Sequence, residues 1–324
     1  MSSSMPARPR FADQAAFDAS IGAVEPWVPM AAEALQRAGL VAPKELESIA
    51  VGLYPVVLAR PDLVVKLYGP WRKGPVTMAD EVRALELLAA DPSLPVPRLV
   101  AHGELGGEWA YVVETFVPGV PFASVRAGLD RAAVGEVAAW AGDVVGRMHA
   151  VPVPVAARDE AVESFGRFIR NRHRVTPARL EHHRALPARL LDGLDAWMPP
   201  IEALLGPEAE VVPLHADLHG DHVRGRVTSD GFEPLGVIDF NRHRLGHPLY
   251  ELGPVWKKLL AYDREHLGEF CQRAGLIRSS SVPFPKLALA WCLLHAGVVQ
   301  SPIRYRGIDE VATLDELAEA TLGR

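Results

Sequence analysis

Residues Pro213–Val223 read PLHADLHGDHV, and a little downstream Gly236–Phe240 read GVIDF. The first stretch alternates ionisable side chains, His215, Asp217, His219 and Asp221, with His222 closing the run. That period belongs to an extended segment or a tight loop. The apolar, β-branched VVPL before it and the LGVIDF after it each read as a short strand, the second closing on Asp239. Two strands that each deliver a carboxylate to one place make a site for a metal ion and a general base.

Two chemistries compete for this cluster. In one, Asp217 takes a proton from an attacking hydroxyl, the residue five places on binds metal, and Asp239 binds the same metal, as in a kinase catalytic loop and its following aspartate. In the other, His215, Asp217, His219, Asp221 and His222 are ligands of a metal-dependent hydrolase, since imidazole and carboxylate at such spacing suit zinc or iron. The metallo-β-lactamase signature resembles this run, but it has histidine where Asp217 stands and belongs early in its domain.

Composition bounds the choice. A chain of 324 residues, 49% hydrophobic and 23% charged, has the length for one large or two modest globular units. A net charge of −6 argues against nucleic acid as a partner, where a basic surface supplies most of the affinity. The two cysteines, Cys271 and Cys292, make neither a disulfide framework nor a cysteine-rich zinc site. The N-terminus lacks the apolar core of a signal peptide, and the longest apolar run, LALAWCLLHAGVV, is short and interrupted by His295, so neither export nor a membrane span is expected and the cytoplasm is the natural compartment.

Along the chain, residues 1 to about 12 read as disordered and Trp27–Leu40 as a helix. ESIAVG, YPVVLA and DLVVKLY read as three strands. Lys66 lies inside the third, either as an edge-strand lysine whose stem crosses apolar surface or as a phosphate-binding lysine held by a carboxylate. Its candidate partner is Glu81 in the helix MADEVRALELLAA, with Ala84, Leu85 and Leu88 facing a core and Glu86 solvated. A long strand, Trp109–Phe116, ends at Pro118-Gly119 as a hinge. Beyond it the pattern is helical from Asp130 to His149 and from Ser164 to Leu205, broken by Pro152, Pro154, Pro177 and Pro187. The basic run GRFIRNRHRVTPARLEHHRALPARL reads first as a solvated helical face and otherwise as a patch for an anionic group.

With these motifs in order, the chain from about Glu45 to Tyr262 resembles the aminoglycoside phosphotransferase family, which shares the bilobal protein-kinase-like fold with choline kinases. The resemblance implies an α+β fold, a nucleotide-binding lobe over residues 1–117 with an antiparallel sheet, and a larger, mainly helical catalytic lobe over residues 118–324. It implies that Lys66 in VVKLY holds the phosphates of ATP or GTP and is paired with Glu81. Glu114 and Phe116 in VVETFVPG would offer backbone groups to the base. Asp217 would be the catalytic base and Asp239 a ligand of magnesium or manganese. Pro248 and Glu251 in GHPLYEL would support the catalytic loop. Side chains from positions 66, 217 and 239 are expected to converge around one triphosphate.

Three positions depart from the family pattern. The metal-binding asparagine five residues after the base is His222, a poorer magnesium ligand than an amide oxygen and a better one for manganese or zinc; Asp221 could supply an oxygen instead. His247 stands between Gly246 and Pro248 where aspartate is usual, and the acid that follows is Glu251. The reading is a small-molecule O-phosphotransferase acting on a hydroxyl acceptor, an antibiotic or another metabolite, as a monomer or weak dimer. A metal-dependent hydrolase and a nucleotide-binding pseudokinase are the alternatives. His215 is expected to prop the loop, His219 to be substrate-facing or exposed, and His149 to end its helix.

Overall fold

The computed structural model describes residues 8–49, 52–206, 210–229, 231–277 and 280–323. The chain divides into two compact units that are discontinuous in sequence. The first comprises residues 1–89, 96–118 and 238–242, and the second residues 90–95, 119–237 and 243–324. Among the described residues no helix is long and apolar enough to cross a membrane.

The first unit is built on five strands: β1 (Leu46–Ile49), β2 (Val56–Ala59), β3 (Leu63–Tyr68), β4 (Leu99–Gly106) and β5 (Trp109–Thr115). They pair antiparallel in the order β1-β2-β3-β5-β4. Helices α1 (Gln14–Ser20), α2 (Trp27–Arg37) and α3 (Gly74–Leu88) complete the unit. The period of two along β3 sorts its side chains. Val65 and Leu67 join Trp27, Met30, Leu35 and Trp109 in one core, where the Trp27 and Trp109 rings lie 5.4 Å apart. Tyr68 instead packs with Tyr54, Val82 and Val112, on the face that α3 covers. Lys66, two residues before Tyr68, therefore points the same way as Tyr68. Each such fully buried large apolar side chain contributes about 1.5–3 kcal/mol.

This arrangement removes the edge-strand reading of Lys66, because β3 is paired on both sides, with Lys66 opposite Val56 on β2 and Val112 on β5. Residues 1–7 of the segment expected to be disordered lie outside the described residues. The rest of it is tied down: the Arg8 guanidinium grips the Glu33 carboxylate of α2 with two hydrogen bonds of 2.7 Å.

The second unit is mainly helical. A three-stranded antiparallel sheet runs in the order β6 (Val120–Pro121), β8 (Val223–Thr228), β9 (Gly231–Val237), and a two-stranded one joins β7 (Val212–Leu214) to β10 (Arg244–Gly246). A short α4 (Phe122–Val125) precedes α5 (Arg131–His149), which is capped by the Asp130 side chain on the Ala133 N–H, and α6 (Val155–His182). The helical region after Pro154 begins at Val155 rather than Ser164, and Pro177, expected to break it, lies inside α6. The helices Arg264–Arg273, Phe284–Leu294 and Leu314–Leu322 close the core around Trp256 and Trp291. Cys271 and Cys292 are buried free thiols within it.

Candidate active site

Lys66 is the centre of the first unit's polar cluster. Its side chain enters the α3 face of the sheet, and the stripe of that helix that buries Val82, Ala84, Leu85 and Leu88 also buries Glu81. The Lys66 Nζ lies 2.5 Å from Glu81 Oε1, 3.1 Å from Glu114 Oε1 and 3.8 Å from Asp239 Oδ1. The Tyr68 hydroxyl donates to the other Glu81 oxygen. Burial pulls the Lys66 ammonium toward neutrality, but the carboxylates of Glu114, Glu81 and Asp239 outweigh it and raise its pKa. For Glu114 burial dominates even against the attraction of Lys66, and its carboxyl is raised to about 7. The Tyr68 phenol is pushed well up by burial and by the negative charge of Glu81.

The structure thus joins Lys66 with Glu81 and with Asp239, two residues beyond the end of β9. It adds Glu114 in a role the sequence reading missed. Glu114 was expected to act through its backbone, yet its side chain, 4% exposed, is the second carboxylate on the lysine. The signal available was an acid among the apolar residues of YVVETF, a buried strand in which an unpaired carboxylate would be costly. Its Oε2 is buried and has no hydrogen-bond partner among the described residues. The Phe116 backbone N–H donates to the Asp62 carbonyl at 2.7 Å.

In the second unit the loop from His215 to His222 is fixed from several directions. The buried Glu251 carboxylate accepts the backbone N–H of His215 and, at 3.0 Å, that of Ala216. Burial raises Glu251 to about 7, the Ala216 and His215 amides oppose the rise, and the negative charge of Asp217 adds to it. Three histidines hold the loop's carbonyls: His243 Nδ1 at Leu214 O, 2.8 Å, His295 Nε2 at Ala216 O, 2.9 Å, and His222 Nδ1 at Asp217 O, 2.9 Å. Since a carbonyl only accepts, each of these ring nitrogens carries the proton. His215, fully buried, accepts the Asp217 N–H on its Nδ1 at 3.3 Å, the propping role expected of it. His149 ends α5, 4.0 Å from Glu251. The roles of His243 and His295 were missed; the interruption of the apolar run LALAWCLLHAGVV by His295 was the only sign.

Two non-glycine residues at these sites adopt left-handed backbone, Ala216 at φ +60° and Asp239 at φ +71°. Such conformations cost about 1–3 kcal/mol and cluster where a chain is bent for function. Each adjoins or is a carboxylate singled out by sequence. Within the loop, His219 Nε2 lies 4.0 Å from Asp217 Oδ1, and the rings of His219 and His222 are 3.8 Å apart. His219 is therefore beside Asp217 and not simply exposed.

The basic run divides. Arg167 pairs with Glu163 on the surface, as a solvated face would. Arg172, by contrast, is 5% exposed and donates its Nε to the Leu294 carbonyl, so it is part of the core.

The model of the phosphotransferase enzyme family matches residues 52–280. Among solved structures, the GDP complex of wild-type aminoglycoside 2'-phosphotransferase-IIIa is similar at a TM-score of 0.59 and 17% identity, over 88% of this chain and 94% of that one. The streptomycin-ATP-APH(2")-IIa ternary complex is similar at 0.55 and 13%, over 89% and 96%. Aminoglycoside phosphotransferase APH(3'')-Id from Streptomyces rimosus, solved with ADP and streptomycin, is similar at 0.53 and 18%, over 82% and 96%. At these identities the likeness establishes the kinase-like fold and leaves the substrate open.

Proposed function

The chain belongs to the phosphotransferase enzyme family, and we propose that it transfers the γ-phosphoryl group of ATP or GTP to a hydroxyl of a small molecule. The observation that carries this reading is the lysine ringed by Glu81, Glu114 and Asp239. Phosphoryl transfer asks the protein mainly for positioning and charge neutralisation. A buried lysine locked by carboxylates is a fixed cation for the α and β phosphates.

The cluster also fits a divalent cation. Three carboxylates face one ammonium, an excess of negative charge, and Asp239 is the most exposed of the three, its side chain 22% exposed against 4% for Glu114 and none for Glu81. Asp239 would hold magnesium or manganese, which when bound supplies positive charge to the phosphates. Asp217 orients the acceptor hydroxyl and takes its proton as the hydroxyl oxygen bonds to the γ-phosphorus and the bond to the β–γ bridging oxygen breaks. Glu251 and the three histidines hold the loop so that this carboxylate keeps one position.

The acceptor we propose is an antibiotic or another metabolite with an exposed hydroxyl. Similar proteins are known with streptomycin, and a polycationic acceptor needs an acidic surface. The test is nucleotide consumption by the purified protein against a panel of hydroxylated antibiotics and metabolites, with the product phosphate located by NMR. Asp217→Ala is expected to lower turnover at least a hundredfold, at the low end for a general base, roughly 10²–10⁴. A variant that keeps full turnover removes Asp217 from that role.

A further inference from the structure

Asp217, His219 and His222 each offer a ligand atom, and those atoms all lie within 4.8 Å of one another. From this geometry we infer that the loop binds a zinc ion through the Asp217 carboxylate and the Nε2 atoms of His219 and His222, and that the ion switches the enzyme off by occupying its base. The inhibitory half rests on the phosphotransferase reading; the binding half does not.

The donor set is that of zinc: two imidazoles and one carboxylate, with a fourth position left for water. Tetrahedral bonds of about 2.0–2.1 Å put ligand atoms about 3.3 Å apart. The 4.0 Å between His219 Nε2 and Asp217 Oδ1 exceeds that spacing by about 0.7 Å, so binding would draw these side chains together.

The surroundings of the two rings strengthen the case. A metal-binding histidine turns one nitrogen to the ion and donates the other N–H to a carbonyl or carboxylate, which fixes the tautomer and raises the ligand's basicity. His222 has this arrangement: its Nδ1–H donates to the Asp217 backbone carbonyl at 2.9 Å, so in the neutral ring the lone pair sits on Nε2. His219 has its counterpart in Asp221, whose Oδ2 lies 3.3 Å from His219 Nδ1. The same Nδ1 is 3.3 Å from the Asp221 N–H in the alternative tautomer. Metal binding would select the tautomer that donates to the Asp221 carboxylate. Asp221 is 68% exposed at its side chain, so no packing requirement explains an acid at that position.

A zinc ion on the Asp217 carboxylate lowers the basicity of the group and takes the place beside it that the acceptor hydroxyl needs. Turnover therefore stops while the ion is bound and returns when a chelator removes it.

The experiment uses the full chain freed of metal with a chelator and dialysed. Cobalt(II), a spectroscopic substitute, is titrated in and followed by the visible d–d bands of tetrahedral coordination, and zinc is then used to displace it. One equivalent is expected to bind. His219→Gln and His222→Gln should each weaken binding at least tenfold, and Asp221→Asn, which alters only an exposed supporting carboxylate, roughly tenfold. Circular dichroism of each variant checks that it is folded. No d–d bands at tens of micromolar cobalt, or bands unchanged in both histidine variants, would overturn the site. Zinc bound at the triad with nucleotide consumption undiminished would overturn the switch. Zinc bound there in a chain that neither binds nucleotide nor phosphorylates any acceptor would instead leave the site standing and remove the phosphotransferase reading.

Discussion

Replacing Lys66 by methionine tests the charge cluster directly, because methionine fills the stem's volume and deletes only the cation. It leaves the Glu81, Glu114 and Asp239 carboxylates, now 2.5, 3.1 and 3.8 Å from the ammonium, facing one another without a counter-charge. Removing one partner of a buried ion pair costs about 3–5 kcal/mol, since the partner's desolvation is no longer offset. That figure is expected at pH 8. It should shrink with acidification: Glu114 already stands at about 7 with the lysine present, and without that attraction it moves higher still. The folded variant then holds a proton that the folded wild type has released, and the difference grows as the pH rises. Urea unfolding followed by tryptophan fluorescence, with Trp27 and Trp109 in the first unit's core, measures it at pH 8 and pH 5.5. Adding Glu114→Gln to Lys66→Met should restore at least about 1 kcal/mol at pH 8, as expected of coupled neighbours. A loss below about 1 kcal/mol at pH 8, or one independent of pH, refutes the account, because a genuine buried ion pair cannot lose its cation so cheaply.

The wild type itself should be more stable at pH 6 than at pH 8, by about 1–3 kcal/mol. Glu114 and Glu251 are both raised from 4.5 to about 7, so their contribution is complete below 4.5 and is lost as the pH climbs through 7; a stability that rises from pH 6 to pH 8 contradicts it. At the acid end the sign reverses: Asp91, held down to about 2 by hydrogen bonds from Ser93 and Arg147, loses its contribution as the pH falls through 2. His295→Phe keeps a ring against Tyr250 but leaves the Ala216 carbonyl and the Gly297 N–H without their partner. The cost should be about 1–3 kcal/mol in urea unfolding, with turnover falling as the Asp217 loop loosens; unchanged stability would mean that other groups fix the loop.

The sequence alone determined the list of chemical groups and much of the scaffold. Periodicity and turn residues set strands β2 and β3 and helix α3, since local backbone preference and the apolar pattern agree there. The order of Lys66, Glu81, HADLHGDHV and IDF pointed to the phosphotransferase family. Sequence could not say which face a side chain takes when a strand is buried on both sides, and so it treated Glu114 as a backbone contact and allowed Lys66 an edge. Only the pairing of β3 between β2 and β5 put Lys66 and Glu114 on the α3 face, with Asp239 joining them from a segment more than a hundred residues away. The same holds for the Asp217 loop. Its histidines were visible as letters, but whether a ring props a carbonyl, as His243 and His295 do, or stands beside a carboxylate, as His219 does, depends on groups far along the chain. Hydrogen bonds and ion pairs act over a few ångströms of space, whereas sequence records only the spacing along the backbone.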